Sequence, residues 1–237
     1  MSGHDISITA GNGAEFTAYL TVPTARSREA RAPAMLVLQE IFGVNAFVRG
    51  VCDRLADAGF IAIAPDLFWR QEAGVQLAES DLERAIQLLQ GLDQEEAISD
   101  CSDAIAYVRA LPNCSGRIGV VGYCLGGKLA YLMAARSKVA AAVSYYGVGI
   151  EGVLGESKAI TAPLLLHIAA EDALCPPSAQ AMIHGALEEI PGVILDTHAG
   201  VGHAFARRGG ATYVPQAAER ADASTLAFLR QHLNSRN

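Results

Sequence analysis

Residues 118–127 of the chain read Ile-Gly-Val-Val-Gly-Tyr-Cys-Leu-Gly-Gly and decide the fold, because they predict a buried strand that turns sharply into a helix. The first four residues form an apolar run, as in a strand covered on both faces. Gly122 and Gly126 flank Cys124 at two residues' distance, where such a turn leaves no space for side chains. Cys124 would stand at a helix N-terminus, where free N–H groups and the helix dipole favour a thiolate. Cys124 is therefore a candidate nucleophile; the alternative is a structural turn that buries it as a small apolar side chain.

Further apolar runs of strand length flank this turn. They predict strands at residues 34–39, 60–64, 140–145, 163–169 and 193–197, and a hairpin of residues 6–8 and 14–22 that turns at Gly11-Asn12-Gly13. Helices are predicted at residues 45–58, 77–92, 95–111, 125–136, 177–189 and 216–232. Apolar strands that alternate with helices indicate an α/β fold, with a mostly parallel central sheet, helices on both faces and an N-terminal antiparallel hairpin. The sequence shows no repeat or low-complexity linker, so we expect a single domain over residues 1–237.

The composition is that of an ordinary compact protein. Of the 237 residues, 51% are hydrophobic and 18% charged, and the formal net charge of −7 argues against nucleic-acid binding, which needs clustered Lys and Arg. No apolar run reaches the roughly 18 residues of a membrane helix, and residues 1–5 do not resemble a signal peptide, so we expect a cytoplasmic protein that does not bind membranes. The five cysteines are spread out without a C-x-x-C pair, which predicts neither a disulfide framework nor a structural zinc site.

Two polar residues that could assist Cys124 follow later strands. Asp172 comes shortly after the predicted strand at 163–169, and His203 follows the strand at 193–197 between small residues. Because the carboxyl ends of parallel strands meet at one edge of a sheet, we expect thiol, carboxylate and imidazole to meet there. The alternatives that the sequence leaves open are Glu171 as the acid, His198 as the base and a helix-capping role for Asp172. His167 lies inside an apolar strand and is predicted to be a buried, hydrogen-bonded core residue.

Six motifs are together similar to those of the dienelactone hydrolase family, a branch of the α/β-hydrolases. In chain order, they are Gln39-Glu40-Ile41-Phe42-Gly43-Val44-Asn45, Ala64-Pro65-Asp66-Leu67, Gly122-Tyr123-Cys124-Leu125-Gly126-Gly127, Tyr145-Tyr146-Gly147, Glu171-Asp172 and Gly202-His203-Ala204-Phe205-Ala206-Arg207. The resemblance spans roughly residues 15–230. The order nucleophile, acid, histidine is also that of the α/β-hydrolases, so the resemblance implies an α/β-hydrolase fold.

The resemblance implies a role for each part of the site. In the family, a cysteine, an aspartate and a histidine form the catalytic triad, and here these are Cys124, Asp172 and His203. A glutamate, here Glu40, holds the resting thiol and releases it as the substrate binds; the alternative is an ordinary loop carboxylate. The oxyanion hole would consist of the backbone N–H groups of Ile41 and Leu125.

The resemblance also implies a small substrate, a lactone or activated ester that carries a carboxylate, and it implies neither a cofactor nor a metal. Arg207 matches an arginine that binds the substrate carboxylate in the family; the alternative is a surface charge. The other predicted substrate-binding residues are Phe42, Tyr145 and Arg84. This chain departs from the family at Leu82, in place of a second arginine, and at Ile86 and Leu89, in place of aromatic residues. The expected setting is aromatic compound degradation by a monomer or small homo-oligomer, and the exact substrate stays open.

Three other functions fit parts of the pattern. A broad-specificity carboxylesterase of the same family would use the same triad. Class I glutamine amidotransferases also place G-x-C-x-G at a strand-to-helix turn, but they carry His-x-Glu late in the chain, whereas Ala204 and Phe205 follow His203 here. A non-catalytic binding protein would keep the fold without turnover, and the intact set of Cys, Asp and His argues against it.

Overall fold

The computed structural model describes residues 3–23 and 31–233, and in these ranges an eight-stranded sheet accompanies six α-helices. The strands are β1 (His4–Thr9), β2 (Glu15–Thr21), β3 (Ala32–Leu38), β4 (Ile61–Pro65), β5 (Cys114–Tyr123), β6 (Ala141–Tyr145), β7 (Leu164–Ala169) and β8 (Val193–His198). The helices are α1 (Ala46–Asp57), α2 (Leu82–Gln90), α3 (Gln94–Ala110), α4 (Leu125–Arg136), α5 (Pro177–Leu187) and α6 (Pro215–Leu233). The strand order is β1-β2-β4-β3-β5-β6-β7-β8. The chain divides into two compact units, residues 1–119 and 120–237, and its organisation as a single domain stays a prediction.

The N-terminal hairpin forms where the sequence predicts it. β1 and β2 pair antiparallel, with Ile8 opposite Phe16, and the Asn12 Oδ1 accepts a hydrogen bond from the Ala14 N–H at 3.0 Å. Gly13 has a φ of +85°, a left-handed conformation that glycine adopts without strain. β2 continues antiparallel to β4, and β4 is parallel to β3, whose seven residues are all buried. The predicted mostly parallel sheet with an antiparallel start is therefore confirmed.

Helix α1 begins where the sequence predicts, whereas α2 is shorter than predicted. Asn45 caps α1 through Oδ1, which accepts hydrogen bonds from two N–H groups of the first turn at 3.2 and 3.3 Å. The sequence predicts a helix over residues 77–92, but the α-helix begins at Leu82 after a short 3-10 turn. The backbone of Ala78 is extended, with φ −86° and ψ 166°, and the Leu77 N–H donates to the Phe42 carbonyl at 2.9 Å, so the residues before Glu79 follow the Phe42 loop and do not continue the helix. None of the helices in residues 3–23 and 31–233 combines the length and apolar character needed to cross a bilayer.

Asp100 of α3 is a completely buried carboxylate that anchors the segment after β4. It accepts hydrogen bonds from both Nη atoms of Arg70 and, at 2.9 Å, from Trp69 Nε1. The Arg70 guanidinium also lies over the Trp69 ring, 4.3 Å from its centroid. Removing Arg70 would leave the Asp100 carboxylate buried without its ionic partner, so we expect the folded state to depend on this pair.

In the second unit, three parallel strands bring polar residues into one row. β6 is parallel to β7, and β7 is parallel to β8. Their register sets Tyr145 beside His167, and His167 beside Asp196. Adjacent residues of neighbouring strands project to the same face of a sheet, so the three side chains lie on one face. A 3-10 segment over Ile150–Ala159, which the sequence does not predict, follows β6.

Candidate active site

Cys124 occupies the strained turn between β5 and α4. Its φ of +56° and ψ of −114° lie where residues with side chains are rarely found. Such strain costs about 1–3 kcal/mol and persists only where surrounding groups enforce it. Here the Cys124 N–H donates to the Tyr145 carbonyl at 3.0 Å, and the Cys124 carbonyl accepts from the N–H groups of Gly127, Lys128 and Val148 at 3.0, 3.2 and 3.3 Å. Backbone hydrogen bonds therefore hold the turn from both sides.

Residue 122, which precedes the turn, must be glycine because no side chain fits there, as the sequence predicts. A Cβ atom on Gly122 would lie 1.8 Å from the carbonyl oxygen of Gly126 and 2.2 Å from its carbonyl carbon. No side chain fits at this distance, so β5 and the first turn of α4 can approach each other only through glycine. Cys124 consequently stands directly before Leu125, the first residue of α4, where the helix N-terminus favours an anion.

Asp172 and His203 are hydrogen-bonded to each other in the loops that follow β7 and β8. The His203 Nδ1 and the Asp172 Oδ2 are 2.8 Å apart, and the other carboxylate oxygen accepts from the Leu174 N–H at 2.8 Å. The Asp172 side chain is 1% exposed and that of His203 is 17% exposed, so the carboxylate is shielded from water while the imidazole stays accessible. A carboxylate on Nδ1 fixes the tautomer that carries Nδ1–H, which leaves Nε2 as the nitrogen that can accept a proton.

Glu171 and His198, the alternative acid and base, lie in different surroundings from Asp172 and His203. Glu171 is exposed. His198 is completely buried, and its ring nitrogens lie 2.8 Å from Arg220 and 3.0 Å from His167. Burial, followed by the charge of His167, lowers the pKa of His198 to about 4, because an imidazolium is poorly solvated there. His167 is itself buried and hydrogen-bonded, which confirms the predicted structural role of this residue.

The Tyr146 ring, which sequence reasoning did not assign to the site, packs against the His203 side chain. The Tyr146 ring meets His203 edge to face, with centroids 5.1 Å apart, and meets Phe205 at 5.6 Å. Tyr146 has a φ of +38°, a second strained position next to the site. The Tyr145 ring stacks on Tyr123 at 4.7 Å. The signal for these rings was the motif Tyr145-Tyr146-Gly147, but hydrophobic patterning alone does not separate them from ordinary core residues.

Three predicted site residues directly follow β3 in the first unit, namely Glu40, Ile41 and Phe42. Glu40 is 1% exposed and Phe42 is 5% exposed. A carboxylate that is buried to this extent is rare and needs hydrogen-bonding partners. The gating role of Glu40, the oxyanion-hole role of Ile41 and the substrate contact of Phe42 stay predictions.

The predicted arginines differ in their surroundings. Arg84 is exposed on α2 and forms an ion pair with Glu72. Arg207 is partly exposed, and its N–H donates to the Ala204 carbonyl at 2.9 Å. Tyr145, the fourth predicted substrate-binding residue, is 1% exposed. Substrate binding by these residues stays a prediction.

Three of the other cysteines, Cys52, Cys101 and Cys175, are poor nucleophiles because of their environment. All five cysteines lie within the described ranges, are buried and form no disulfide. Burial raises the pKa of Cys52 and of Cys101 far above the ordinary thiol value, and it raises the pKa of Cys175 to about 11. Because the thiolate is the reactive form, these three sulfurs are inert at neutral pH.

The chain is similar to a set of known hydrolases. The family model described as dienelactone hydrolase family matches residues 16–233. A candidate carboxymethylenebutenolidase of Azospirillum brasilense is 44% identical over 235 residues, which cover 97% of this chain and 99% of that protein. Carboxymethylenebutenolidase 1 of Cupriavidus pinatubonensis is 38% identical over 232 residues, 97% of each chain. The crystal structure of a candidate dienelactone hydrolase from Klebsiella pneumoniae matches with a TM-score of 0.86 at 26% identity, over 97% of this chain and 98% of that chain. These likenesses confirm the predicted α/β-hydrolase fold.

Proposed function

The chain belongs to the dienelactone hydrolase family, and from that premise we propose that it cleaves a lactone or an activated ester with a triad of Cys124, His203 and Asp172. It is a hydrolase of the carboxymethylenebutenolidase type. The observation that carries the triad is the 2.8 Å hydrogen bond between His203 and the buried Asp172. The strained turn at Cys124 supports it further, since backbone strain of this kind is concentrated at functional sites.

In the proposed reaction, the Cys124 thiolate attacks the carbonyl carbon of the substrate. The N–H groups of Leu125 and Ile41 stabilise the charge on the carbonyl oxygen, each contributing roughly 3 kcal/mol in the transition state. The ester C–O bond then breaks, the leaving oxygen takes a proton from the His203 imidazolium, and a thioester remains on Cys124. Water that gives a proton to His203 then attacks the thioester, the C–S bond breaks as the acid product forms, and the proton held by Glu40 returns to the Cys124 sulfur.

Asp172 acts on this reaction through His203. Its carboxylate holds Nδ1–H, so that the protonated Nε2 pairs with the Cys124 thiolate, gives its proton to the leaving oxygen and takes one from the water. The burial of Asp172, with 1% of its side chain exposed, strengthens this contact because water cannot compete for it. Glu40 acts earlier in the proposed cycle: it holds the resting thiol and takes its proton when the substrate binds.

We propose that the substrate carries a carboxylate near the bond that is cleaved. Arg207 would bind it through two parallel hydrogen bonds, with Phe42, Tyr145 and Arg84 as further contacts. A specific observation favours a second candidate, a broad-specificity carboxylesterase that takes less anionic esters: Leu82, Ile86 and Leu89 of α2 are 49%, 40% and 38% exposed. In either case the enzyme is proposed to act in the cytoplasm, as a monomer or small homo-oligomer, in the degradation of aromatic compounds.

The test measures hydrolysis of cis- and trans-dienelactone and of a series of aryl esters. We expect Cys124→Ala to lose at least about 10³-fold in kcat while its urea unfolding midpoint stays close to that of the wild type. The matched control is Cys114→Ala, which removes another buried sulfur and should keep full activity. Hydrolysis at the wild-type rate by folded Cys124→Ala would contradict the mechanism.

The proposed intermediate gives a second readout. Rapid acid quenching followed by mass spectrometry should find the acyl part of the substrate on the peptide that contains Cys124. Glutaminase activity without ester hydrolysis would instead favour an amidotransferase-like enzyme. Binding of dienelactones without any turnover would favour a binding protein.

A further inference from the structure

A chain of buried hydrogen bonds in the second unit has no part in the reaction steps above. This polar chain runs from Arg220 through His198, His167 and Thr225 to the hydroxyl of Tyr145. Its successive contacts are 2.8 Å from Arg220 Nη2 to His198 Nδ1, 3.0 Å from His198 Nε2 to His167 Nδ1, 2.9 Å from His167 Nε2 to Thr225 Oγ1, and 2.7 Å from Thr225 Oγ1 to Tyr145 Oη. The two imidazoles, Thr225 and Tyr145 are all buried. Polar groups in such a place must be satisfied by one another.

The donors and acceptors of the polar chain follow from its first member. A guanidinium can only donate, so the His198 Nδ1 accepts from Arg220, and neutral His198 carries its proton on Nε2. That N–H donates to the His167 Nδ1 at 3.0 Å, with the Asp196 Oδ2 at 3.4 Å as a second, longer acceptor. The proton of His167 is then on Nε2 and donates to Thr225. Burial lowers the pKa of both imidazoles, in agreement with the neutral rings that this order requires.

The far end of the polar chain is closed by a carboxylate. The Thr225 hydroxyl donates to the Tyr145 oxygen, and the Tyr145 hydroxyl donates to the Asp222 Oδ1 at 3.1 Å. The other Asp222 oxygen accepts from Arg208 at 2.9 Å. Along the series from Arg220 to Asp222, each group therefore donates to the next one. A network in which every donor has an acceptor is rigid.

The same region offers three metal donor atoms, since nitrogens of His167 and His198 and an oxygen of Asp196 lie within 4.8 Å of one another. The contact with Arg220 argues against a metal. Binding through the His198 Nε2 would move the proton of the neutral ring to Nδ1, where it would face the donors of the guanidinium at 2.8 Å. The charge of Arg220 would also repel a cation. Hydrogen bonding is therefore the role that fits these side chains.

The polar chain ends at a dipeptide, Tyr145-Tyr146, that contacts the backbone of Cys124 and the side chain of His203. The Tyr145 carbonyl accepts the Cys124 N–H at 3.0 Å, and the Tyr146 ring packs on His203. His167 holds this dipeptide at two points: its ring reaches the Tyr145 hydroxyl through the polar chain, and its carbonyl accepts the Tyr146 N–H at 2.8 Å. The strained conformations at Cys124 and Tyr146 persist only if this dipeptide is held in place.

We propose that His167 is a positioning residue of the active site, which holds Tyr145 and Tyr146 so that Cys124 and His203 keep their catalytic geometry. This inference rests on the proposed function, because it takes Cys124 and His203 as the reacting groups. His167 is 1% exposed and acts only through its neighbours. A small misplacement of reacting groups slows the chemical step without removing substrate contacts, so the role predicts a loss in kcat at constant KM.

The first experiment compares His167→Leu with His167→Gln. Leucine removes both ring hydrogen bonds, whereas glutamine keeps one acceptor and one donor in a side chain that is neutral at every pH. We expect kcat of His167→Leu to fall about 10-fold with KM within about twofold of the wild type, and His167→Gln to recover most of the loss. Wild-type kcat in folded His167→Leu, or no difference between the two variants, would overturn the proposal.

A second pair of variants covers the case in which His167→Leu does not fold. Thr225→Val breaks the polar chain with little change of shape, and Thr197→Val makes the same chemical change at an exposed position. We expect the NMR signals of the His203 ring, which sense the Tyr146 ring beside it, to shift in Thr225→Val and to stay in place in Thr197→Val. Unchanged His203 signals in Thr225→Val would overturn the positioning role. This readout needs no turnover, so a wild type that hydrolyses nothing would refute the proposed function alone.

Discussion

Replacing Asp172 with asparagine should reverse the tautomer of His203 and stop it from acting as a base. The amide oxygen introduced by Asp172→Asn would still accept the Leu174 N–H, which lies 2.8 Å from the carboxylate oxygen in the native structure. The amide N–H₂ group would then face the His203 Nδ1 at the present distance of 2.8 Å. To avoid two donors in contact, the ring would move its proton to Nε2, the nitrogen that must accept one.

The size of the effect follows from the contact that is lost. A hydrogen bond to a charged group contributes about 1.5–3 kcal/mol, and a buried donor left without an acceptor costs about 1–3 kcal/mol. Both terms apply to the reactive tautomer of the variant, in which Nδ1–H would face the amide N–H₂ group at a position where the native Asp172 side chain is only 1% exposed. At about 1.4 kcal/mol for each factor of ten in rate, kcat should fall about 10²- to 10⁴-fold.

The assay is steady-state hydrolysis of the best dienelactone or aryl ester, with the urea midpoint measured for each variant. The control is Glu171→Gln, which makes the same chemical change on the exposed neighbour and should leave kcat within about twofold of the wild type. If folded Asp172→Asn kept kcat within tenfold of the wild type, the assignment of Asp172 as the triad acid would be wrong.

Three further predictions concern stability. Gly122→Ala should lower the free energy of unfolding by about 3 kcal/mol or more, because its Cβ would lie 1.8 Å from the Gly126 oxygen; an unchanged urea midpoint would refute this. Asp100→Asn should cost about 1.5–3 kcal/mol in the same assay, since Arg70 and Trp69 would lose their charged acceptor while Glu96 would still pair with Arg70; a loss below about 0.5 kcal/mol would contradict it. Because the pKa of His198 falls from 6.5 to about 4 on folding, the unfolded chain binds the extra proton between these values. Stability should therefore be full above pH 6.5 and decline as the pH falls towards 4, and His198→Gln should flatten that slope in urea titrations.

Local signals in the sequence were sufficient for most of the secondary structure. Helix α4 lies at Leu125–Arg136 as predicted, because the glycine-rich turn that starts it is a local feature. The start of α2 at Leu82 could not be predicted, since it depends on the hydrogen bond from Leu77 to Phe42. These two residues lie far apart in sequence, and helix propensity carries no information about such a bond.

In the candidate site too, the features that depend on local sequence were predictable and those that depend on strand pairing were not. Asp172 and His203 each follow a predicted strand, and the structure places them 2.8 Å apart. The polar chain could not be derived, because it depends on the register that sets Tyr145 beside His167 and on Arg220 and Thr225 of α6 reaching the buried imidazoles. Nothing within a single parallel strand specifies that alignment, so His167 reads as one more buried residue until the strands are paired.

The hydrogen bonds that hold the turn at Cys124 join main-chain atoms on both sides. The direction in which the side chain leaves the backbone is consequently a property of the polypeptide path rather than of sulfur. A serine hydroxyl at position 124 would leave the backbone in the same direction and have the same neighbours. The turn could therefore hold sulfur or oxygen as the nucleophile with the same backbone geometry. The choice between the two atoms would then determine which esters react and how fast.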